Sequence, residues 1–368
     1  MPEAGESMRR LDARPVPETS CEIRLVTQVR NEMLRLPWFL EHHRSIGVQR
    51  FFVIDNGSDD GSTEFLRDQP DVHVYYTTED YREKRRAWKQ EILTNHCVGC
   101  WTLHVDADEL FVFPEMERVG LSDFCRHLDD TESRGVHATL VDMYADGPFR
   151  DTRYDPSASP LAACPYFDAD TYRLYFKPSP GNRAPNYLVL GGPRERLFFG
   201  SGRLGKGWDE SLCRWLYDIH RTVAPAFNRW PPLARLLRHL PSIARARRAP
   251  HMSKIPLVRW GPDLELENPA LHYVRPAIPL SDCWAGILHF KYLYDFGTRV
   301  DEAVERKQHY GFAAQYERYR DALEADPDIA AYGPWSQRFE SSESLIEAGL
   351  MRRSDGFAAF VSRLTTRA

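Results

Sequence analysis

Leu103-His-Val-Asp-Ala-Asp-Glu109 is the stretch on which the fold turns. An apolar run, Trp101–Val105, ends in two carboxylates spaced by one residue. The period-two alternation of a strand returns side chains i and i+2 to the same side, so Asp106 and Asp108 point toward one site. Paired carboxylates repel, and each raises the other's pKa unless a cation sits beside them. Hard oxygen ligands favour Mg2+ or Mn2+, ions that also hold substrate phosphates. A solvated surface turn is the alternative for any short acidic triplet; the strand that delivers this one weighs against it.

Upstream the chain alternates strand and helix. Arg24–Val29 is a short β-rich run, Arg30-Asn31-Glu32 a polar break, and Asn31 a candidate cap for a first helical turn. Pro37 suits the first turn of the helix that follows, Leu36, Phe39, Leu40 and Ile46 give it a buried stripe, and Gly47 stops it. Arg50–Ile54 is continuously apolar after its first residue, as a strand covered on both faces should be. Asp55-Asn-Gly-Ser-Asp-Asp-Gly-Ser62 is a dense turn signal that leads into a helix near Thr63–Asp68. Val72–Tyr76 predicts a third strand and Glu83–Asn95 a polar-faced helix.

Strands separated by helices predict an α/β fold built on a Rossmann-like, doubly wound, mostly parallel sheet with right-handed crossovers. Ligands sit at the carboxyl ends of such strands. The polar clusters at 30–32, 55–60 and 106–109 all fall on that edge.

Val29-Arg-Asn-Glu32, Phe52-Val-Ile-Asp-Asn-Gly-Ser-Asp-Asp-Gly-Ser62 and Leu103-His-Val-Asp-Ala-Asp-Glu109 together resemble the successive signatures of family 2 glycosyltransferases with the A-type (GT-A) fold. The nearest likeness is the subgroup reading Arg-Asn-Glu, Asp-Asn-Gly-Ser and Asp-Ala-Asp-Glu. It covers residues 22–115 well and 135–310 loosely. The usual second signature reads Asp-Asp-Gly-Ser, so Asn56 departs from it by one charge.

The resemblance implies that Asp55 accepts a hydrogen bond from the donor's base, commonly uracil, with Asn31, Glu32 and Asn56 lining the nucleotide pocket. An ordinary Asx-type turn is the alternative for Asp55-Asn56-Gly57. Asp108 would coordinate Mn2+ or Mg2+, and Asp106 would contact the ribose or join the metal and its phosphate. Ile287-Leu-His289-Phe-Lys291-Tyr resembles a late segment of the same subgroup. It offers His289 as a further metal ligand, against a satisfied core histidine, and Lys291 as a diphosphate contact, against a solvated lysine.

Transfer with inversion also needs a general base near the acceptor hydroxyl. Glu195, flanked by Arg194 and Arg196 after a glycine turn, is favoured because two arginines would hold it ionised. Asp142 and Asp282 come next.

Bulk properties set the remaining bounds. The 368 residues, 42% apolar, suffice for a large core, and a net charge of −5 gives no global drive toward nucleic acid. No run approaches the roughly 18 apolar residues of a membrane span. Seven thinly spread cysteines suit reduced thiols in a cytoplasm, and Cys97-Val-Gly-Cys100 reads as two structural thiols in preference to a zinc or redox pair. Residues 219–262 carry no Asp or Glu before Asp263, and the arginine-rich stretch 229–248 is amphipathic. It either docks on anionic membrane at the inner face or packs on the domain with its arginines in water.

The organisation expected is a disordered lead-in 1–21, a nucleotide-sugar half 22–135, an acceptor half 136–300 with a basic helical insertion at 219–250, and a helical extension 301–368. The function expected is metal-dependent transfer of a sugar from a nucleotide diphosphate, UDP foremost, to a glycan or lipid-linked acceptor. A non-catalytic carbohydrate-binding scaffold on the same fold and a sugar nucleotidyltransferase are the alternatives. The Gly-rich loop usual in the latter is missing at Val29-Arg-Asn-Glu32.

Overall fold

The structure is a computed structural model of the full chain, and it describes residues 8–18, 22–176, 187–199, 250–267, 271–306 and 314–366. The basic stretch at 219–250 therefore lies outside the described residues, apart from Pro250.

In chain order the first elements are β1 (Arg9–Arg10), β2 (Ile23–Val29), α1 (Leu36–Ile46), β3 (Arg50–Asp55), α2 (Ser62–Arg67), β4 (Val72–Tyr76), α3 (Tyr81–His96), β5 (Trp101–Leu103), β6 (Glu109–Val112), α4 (Leu121–Asp130) and β7 (Gly135–Asp142). Then come α5 (Pro160–Ala163), β8 (Tyr166–Asp168), β9 (Arg173–Phe176), β10 (Tyr187–Leu190), α6 (Gly192–Phe198), β11 (Ser253–Arg259), β12 (Glu265–Leu266), β13 (Val274–Arg275) and β14 (Leu280–His289). The last are α7 (Phe296–Arg306), α8 (Ala314–Ala325), β15 (Ser336–Arg338), α9 (Ser342–Glu347) and α10 (Asp355–Thr365).

Among the described residues a nine-stranded sheet runs in the order β1-β4-β3-β2-β5-β11-β7-β14-β6. β2, β3, β4 and β5 are mutually parallel, β11 is antiparallel to both β5 and β7, and β14 is parallel to β7. Six strands therefore share one direction, and β1, β11 and β6 oppose it. This is the α/β, mostly parallel, Rossmann-like sheet expected of an A-type fold, with helices dominating the C-terminal segment.

Strand alternation splits the core in two. Leu25, Phe51 and Val53 face one layer, with Phe39 and Leu40 of α1, Phe124 of α4 and Phe357 of α10. Val26, Phe52 and Ile54 face the other, with Trp88, Ile92 and Leu93 of α3. Each such side chain contributes about 1.5–3 kcal/mol by leaving water, which explains why both faces of this half are apolar. A third cluster, Phe198, Tyr292, Phe296 and Tyr319, joins α6, α7 and α8. Tyr319 is fully buried there, and Tyr316 packs against it. Gly47 ends α1 with φ +117°, and its N–H bonds to the Arg44 carbonyl at 3.0 Å.

One expectation is corrected here. Residues 8–18 are not a disordered lead-in: Arg9 and Arg10 pair with Tyr76 and Tyr75 on the sheet edge, and Met8 is buried in the second core. Asp12 anchors the strap by bonding to His73 at 3.0 Å. Cys97 and Cys100 are fully buried thiols, and burial pushes the Cys97 pKa up to about 12. That environment fits a structural role.

Candidate active site

Because six strands share a direction, the carboxyl ends of β2, β3, β5, β7 and β14 open on one edge. The antiparallel β6 begins at that same edge, and β11 begins near it. Register then does the assembly. In β7, β14 and β6, Asp142, His289 and Glu109 stand side by side in one row. Asp108, one residue earlier, accepts a backbone bond from Phe290 at 2.8 Å through its carbonyl.

His289 links two carboxylates. Its Nδ1 lies 2.6 Å from Asp142 and its Nε2 3.3 Å from Asp108. Burial disfavours the imidazolium, yet the Asp108 and Asp142 charges outweigh it and raise the His289 pKa. Burial likewise opposes ionised Asp108, and His289, Arg299 and Arg35 more than compensate, holding it well below the carboxylate range. Asp142 is fully buried. Arg194 clasps it through two bonds of 2.6 and 3.1 Å, and against the cost of burial its pKa falls to about 2.

Asp106 takes a different partner. The Lys254 ammonium reaches it at 3.0 Å and also bonds Glu109. The Asp106 N–H in turn donates to Glu109 at 3.1 Å. Burial weakens a lysine charge, but these two carboxylates raise the Lys254 pKa. The two aspartates therefore diverge: Asp108 turns to His289, and Asp106 to Lys254. Asp108, Glu109 and His289 each offer a ligand atom within 4.8 Å of the others, and Asp106 is not in that group.

The other named residues interlock two loops. Asp55 is fully buried and accepts from the Ser58 N–H at 2.9 Å, the Ser58 hydroxyl at 2.7 Å and the Thr63 hydroxyl. That is the Asx-type turn. Asn31, at φ +53°, accepts from the Asp59 N–H at 3.0 Å, and Asn56 donates to the Glu79 carbonyl at 3.0 Å. Asn31 caps no helix. Glu32 is buried between Arg299 and Arg35; burial raises its pKa against their pull.

Two expectations for the acceptor side are corrected. Arg194 and Arg196 do not hold Glu195: they bond Asp142 and Asp168, and Glu195 is paired with Arg173. Successive residues of the short helix α6 fan out to different partners. Asp282 is exposed, seven residues before His289 on the same strand, roughly 20 Å away at 3.3 Å per residue. It cannot serve a site at His289. Lys291, named for the diphosphate, is half-buried: its ammonium sits 4.6 and 4.5 Å from the ring centres of Tyr316 and Tyr319, and burial lowers its pKa to about 7.

Sequence reasoning missed Glu109, Lys254, Arg194 and Arg299 as parts of this site. Glu109 was visible as the fourth residue of Asp-Ala-Asp-Glu. Lys254 falls in the stretch 219–262 that lacks Asp and Glu, and only its place on β11 shows that it belongs to the acidic cluster.

No protein-family model matches the chain. It is 30% identical over 110 residues to a glycosyltransferase family 92 protein of Arabidopsis thaliana, a match covering 27% of this chain and 18% of that protein. It is 34% identical over 98 residues to a family 92 protein of Oryza sativa subsp. japonica, covering 24% and 16%. The matches thus span less than a fifth of either relative's length. Among solved structures, mannose-1-phosphate geranyltransferase from Thermus thermophilus aligns over 73% of this chain and 74% of that chain, at 10% identity and a TM-score of 0.24. That likeness is too distant to carry an argument. The glycosyltransferase likeness of the motifs is supported at the level of the class, through relatives named for family 92 and not family 2.

Proposed function

We propose that the chain is a divalent-metal-dependent glycosyltransferase that moves a sugar from a nucleotide diphosphate, UDP foremost, to a glycan or lipid-linked acceptor, with inversion. The observation that carries the reading is the convergence of Asp108, Glu109 and His289 at the carboxyl edge of the sheet. The donor set suits Mn2+ or Mg2+: two hard carboxylates and one imidazole. The Asp108 and Asp142 carboxylates raise the His289 pKa, so positive charge is stabilised here.

When bound, the ion neutralises charge developing on the diphosphate leaving group. The chain's own residues prepare the site. Asp142 accepts from His289 Nδ1 and so leaves Nε2 turned to Asp108, the carboxylate–histidine arrangement that orients metal ligands. Arg194 fixes Asp142, and Lys254 fixes Glu109 and Asp106. Arg299 and Arg35 supply positive charge beside Asp108 and hold Glu32.

We assign the nucleoside to the interlocked loops at Asn31, Glu32, Asp55 and Asn56, where Asp55 would exchange an internal hydroxyl partner for the base. Glu195 remains our choice for the proton acceptor, held by Arg173. The family 2 subgroup, the cytoplasmic setting and membrane contact through 229–248 belong to the same proposal. The first rests on the motifs, the second on the thinly spread cysteines and the third on the arginine-rich sequence; no described helix is long and apolar enough to cross a membrane.

The test is a panel of UDP-, GDP- and dTDP-sugars, scored for hydrolysis with Mn2+ and with chelator. Mn2+-dependent release of one nucleotide supports the proposal. Sugar binding without turnover points to the scaffold, and pyrophosphate chemistry to a nucleotidyltransferase.

A further inference from the structure

We propose that His127, Asp282 and Cys283 form a second metal site, one that takes Zn2+, at the end of β14 remote from Asp108 and His289. Potential ligand atoms of these three residues all lie within 4.8 Å of one another. The two sites are roughly 20 Å apart along the strand at 3.3 Å per residue.

Consecutive residues of a regular strand face opposite ways, so Asp282 and Cys283 should not share a ligand. Here the pairing of β14 with β7 slips between Leu280 and Trp284, and the Cys283 N–H turns to the Ser281 hydroxyl at 3.0 Å. The irregularity lets a carboxylate and a thiol reach one point. Opposite them, α4 presents His127. Its ring is walled by Phe357 and Phe360, with centroids 5.1 and 5.3 Å away. It is 5% exposed, and its buried Nε2 has no hydrogen-bond partner among the described residues. An imidazole nitrogen left this way is costly, and a ligand would relieve it.

The donor chemistry selects the ion. Thiolate, imidazole and carboxylate are the zinc set, with water as fourth ligand, whereas Mg2+ and Mn2+ prefer oxygen. Bonds of about 2.0–2.3 Å place tetrahedral ligands roughly 3.3–3.8 Å apart, so closing on the ion takes shifts of about an ångström, which the exposed Asp282 can supply. Ser354, the N-cap of α10, already touches Cys283 Sγ at 3.3 Å and would support the thiolate from behind. Zinc binds the thiolate, so its capture releases the Cys283 thiol proton. The ion would tie α4 to the start of β14 and, through Ser354, to the C-terminal helix.

The test uses the full chain, purified with zinc and dialysed into Mn2+ buffer without chelator. We expect one zinc per chain by mass spectrometry. Co2+ replacement should give a thiolate-to-cobalt charge-transfer band in the near ultraviolet. Cys283→Ser and His127→Gln remove the band and weaken zinc at least roughly tenfold, while Asp108→Asn keeps both. Asp282→Asn, at an exposed position, keeps the fold and weakens zinc should the buried variants unfold. The proposal is overturned if folded wild type shows no thiolate band, if Cys283→Ser retains zinc equally, or if Asp108→Asn alone abolishes it.

Discussion

The Nε2 of His289 lies 3.3 Å from the Asp108 carboxylate, which joins the last residue of β14 to the turn after β5. These residues are far apart in sequence, and a shared strand direction is what brings them together. Asp142 on the other side of the ring makes the arrangement a chain of three, so orientation of the imidazole does not depend on the ligand it would hold.

Lys254 is the central cation of the neighbouring cluster. Lys254→Ala would leave Glu109 buried without its counter-charge, and removing one partner of a buried pair costs about 3–5 kcal/mol. Urea denaturation should show that loss. The double variant Lys254→Met/Glu109→Gln should recover most of it, because neither buried group is then charged.

Lys89 gives a prediction in pH. It is buried on α3, and burial, helped by Lys254, lowers its pKa from 10.5 to about 8 against the pull of Asp106. Below about pH 8 the amine is charged in both states and the folded protein carries the full cost. Between pH 8 and 10.5 the unfolded chain binds more protons, so this residue makes stability rise with pH. Lys89→Met should therefore be more stable than wild type at pH 7, with the gap closing by pH 10 in paired denaturation curves.

Gly191 has φ +111°, and a Cβ there would stand 2.2 Å from the Thr171 carbonyl oxygen. Backbone cannot yield as a flexible side chain can. Gly191→Ala should cost on the order of 3 kcal/mol by thermal or urea unfolding. It should also loosen the start of α6, and with it the grip of Arg194 on Asp142.

Glu195→Gln keeps the shape of the side chain and removes its basicity. Transfer should fall by about 10²–10⁴-fold if the carboxylate takes the acceptor's proton, with donor affinity little changed. Near-normal turnover would remove Glu195 from that role.

Much of the parallel half was legible in the sequence, because strands buried on both faces announce themselves as apolar runs such as Phe51–Ile54, and glycine marks where α1 ends. The acidic turn after β5 was visible for the same reason. Its division of labour was not: whether Asp106 or Asp108 faces the imidazole depends on Lys254, which reaches Asp106 from an antiparallel strand 148 residues later. Arg194 and Arg196 misled because adjacency to Glu195 suggested pairing, whereas a helix spreads consecutive side chains about 100° apart. The strap at 8–18 looked structureless because two paired residues leave no periodicity to detect.

Titration calorimetry with Mn2+ on wild type, Asp108→Asn, His289→Ala and Asp106→Asn, each with and without UDP, addresses the centre of the account. We predict one Mn2+ per chain at this edge, tightened by UDP, lost in the Asp108 and His289 variants and kept in the Asp106 variant. Mn2+ binding unchanged by Asp108→Asn, or UDP binding indifferent to the metal, would contradict it.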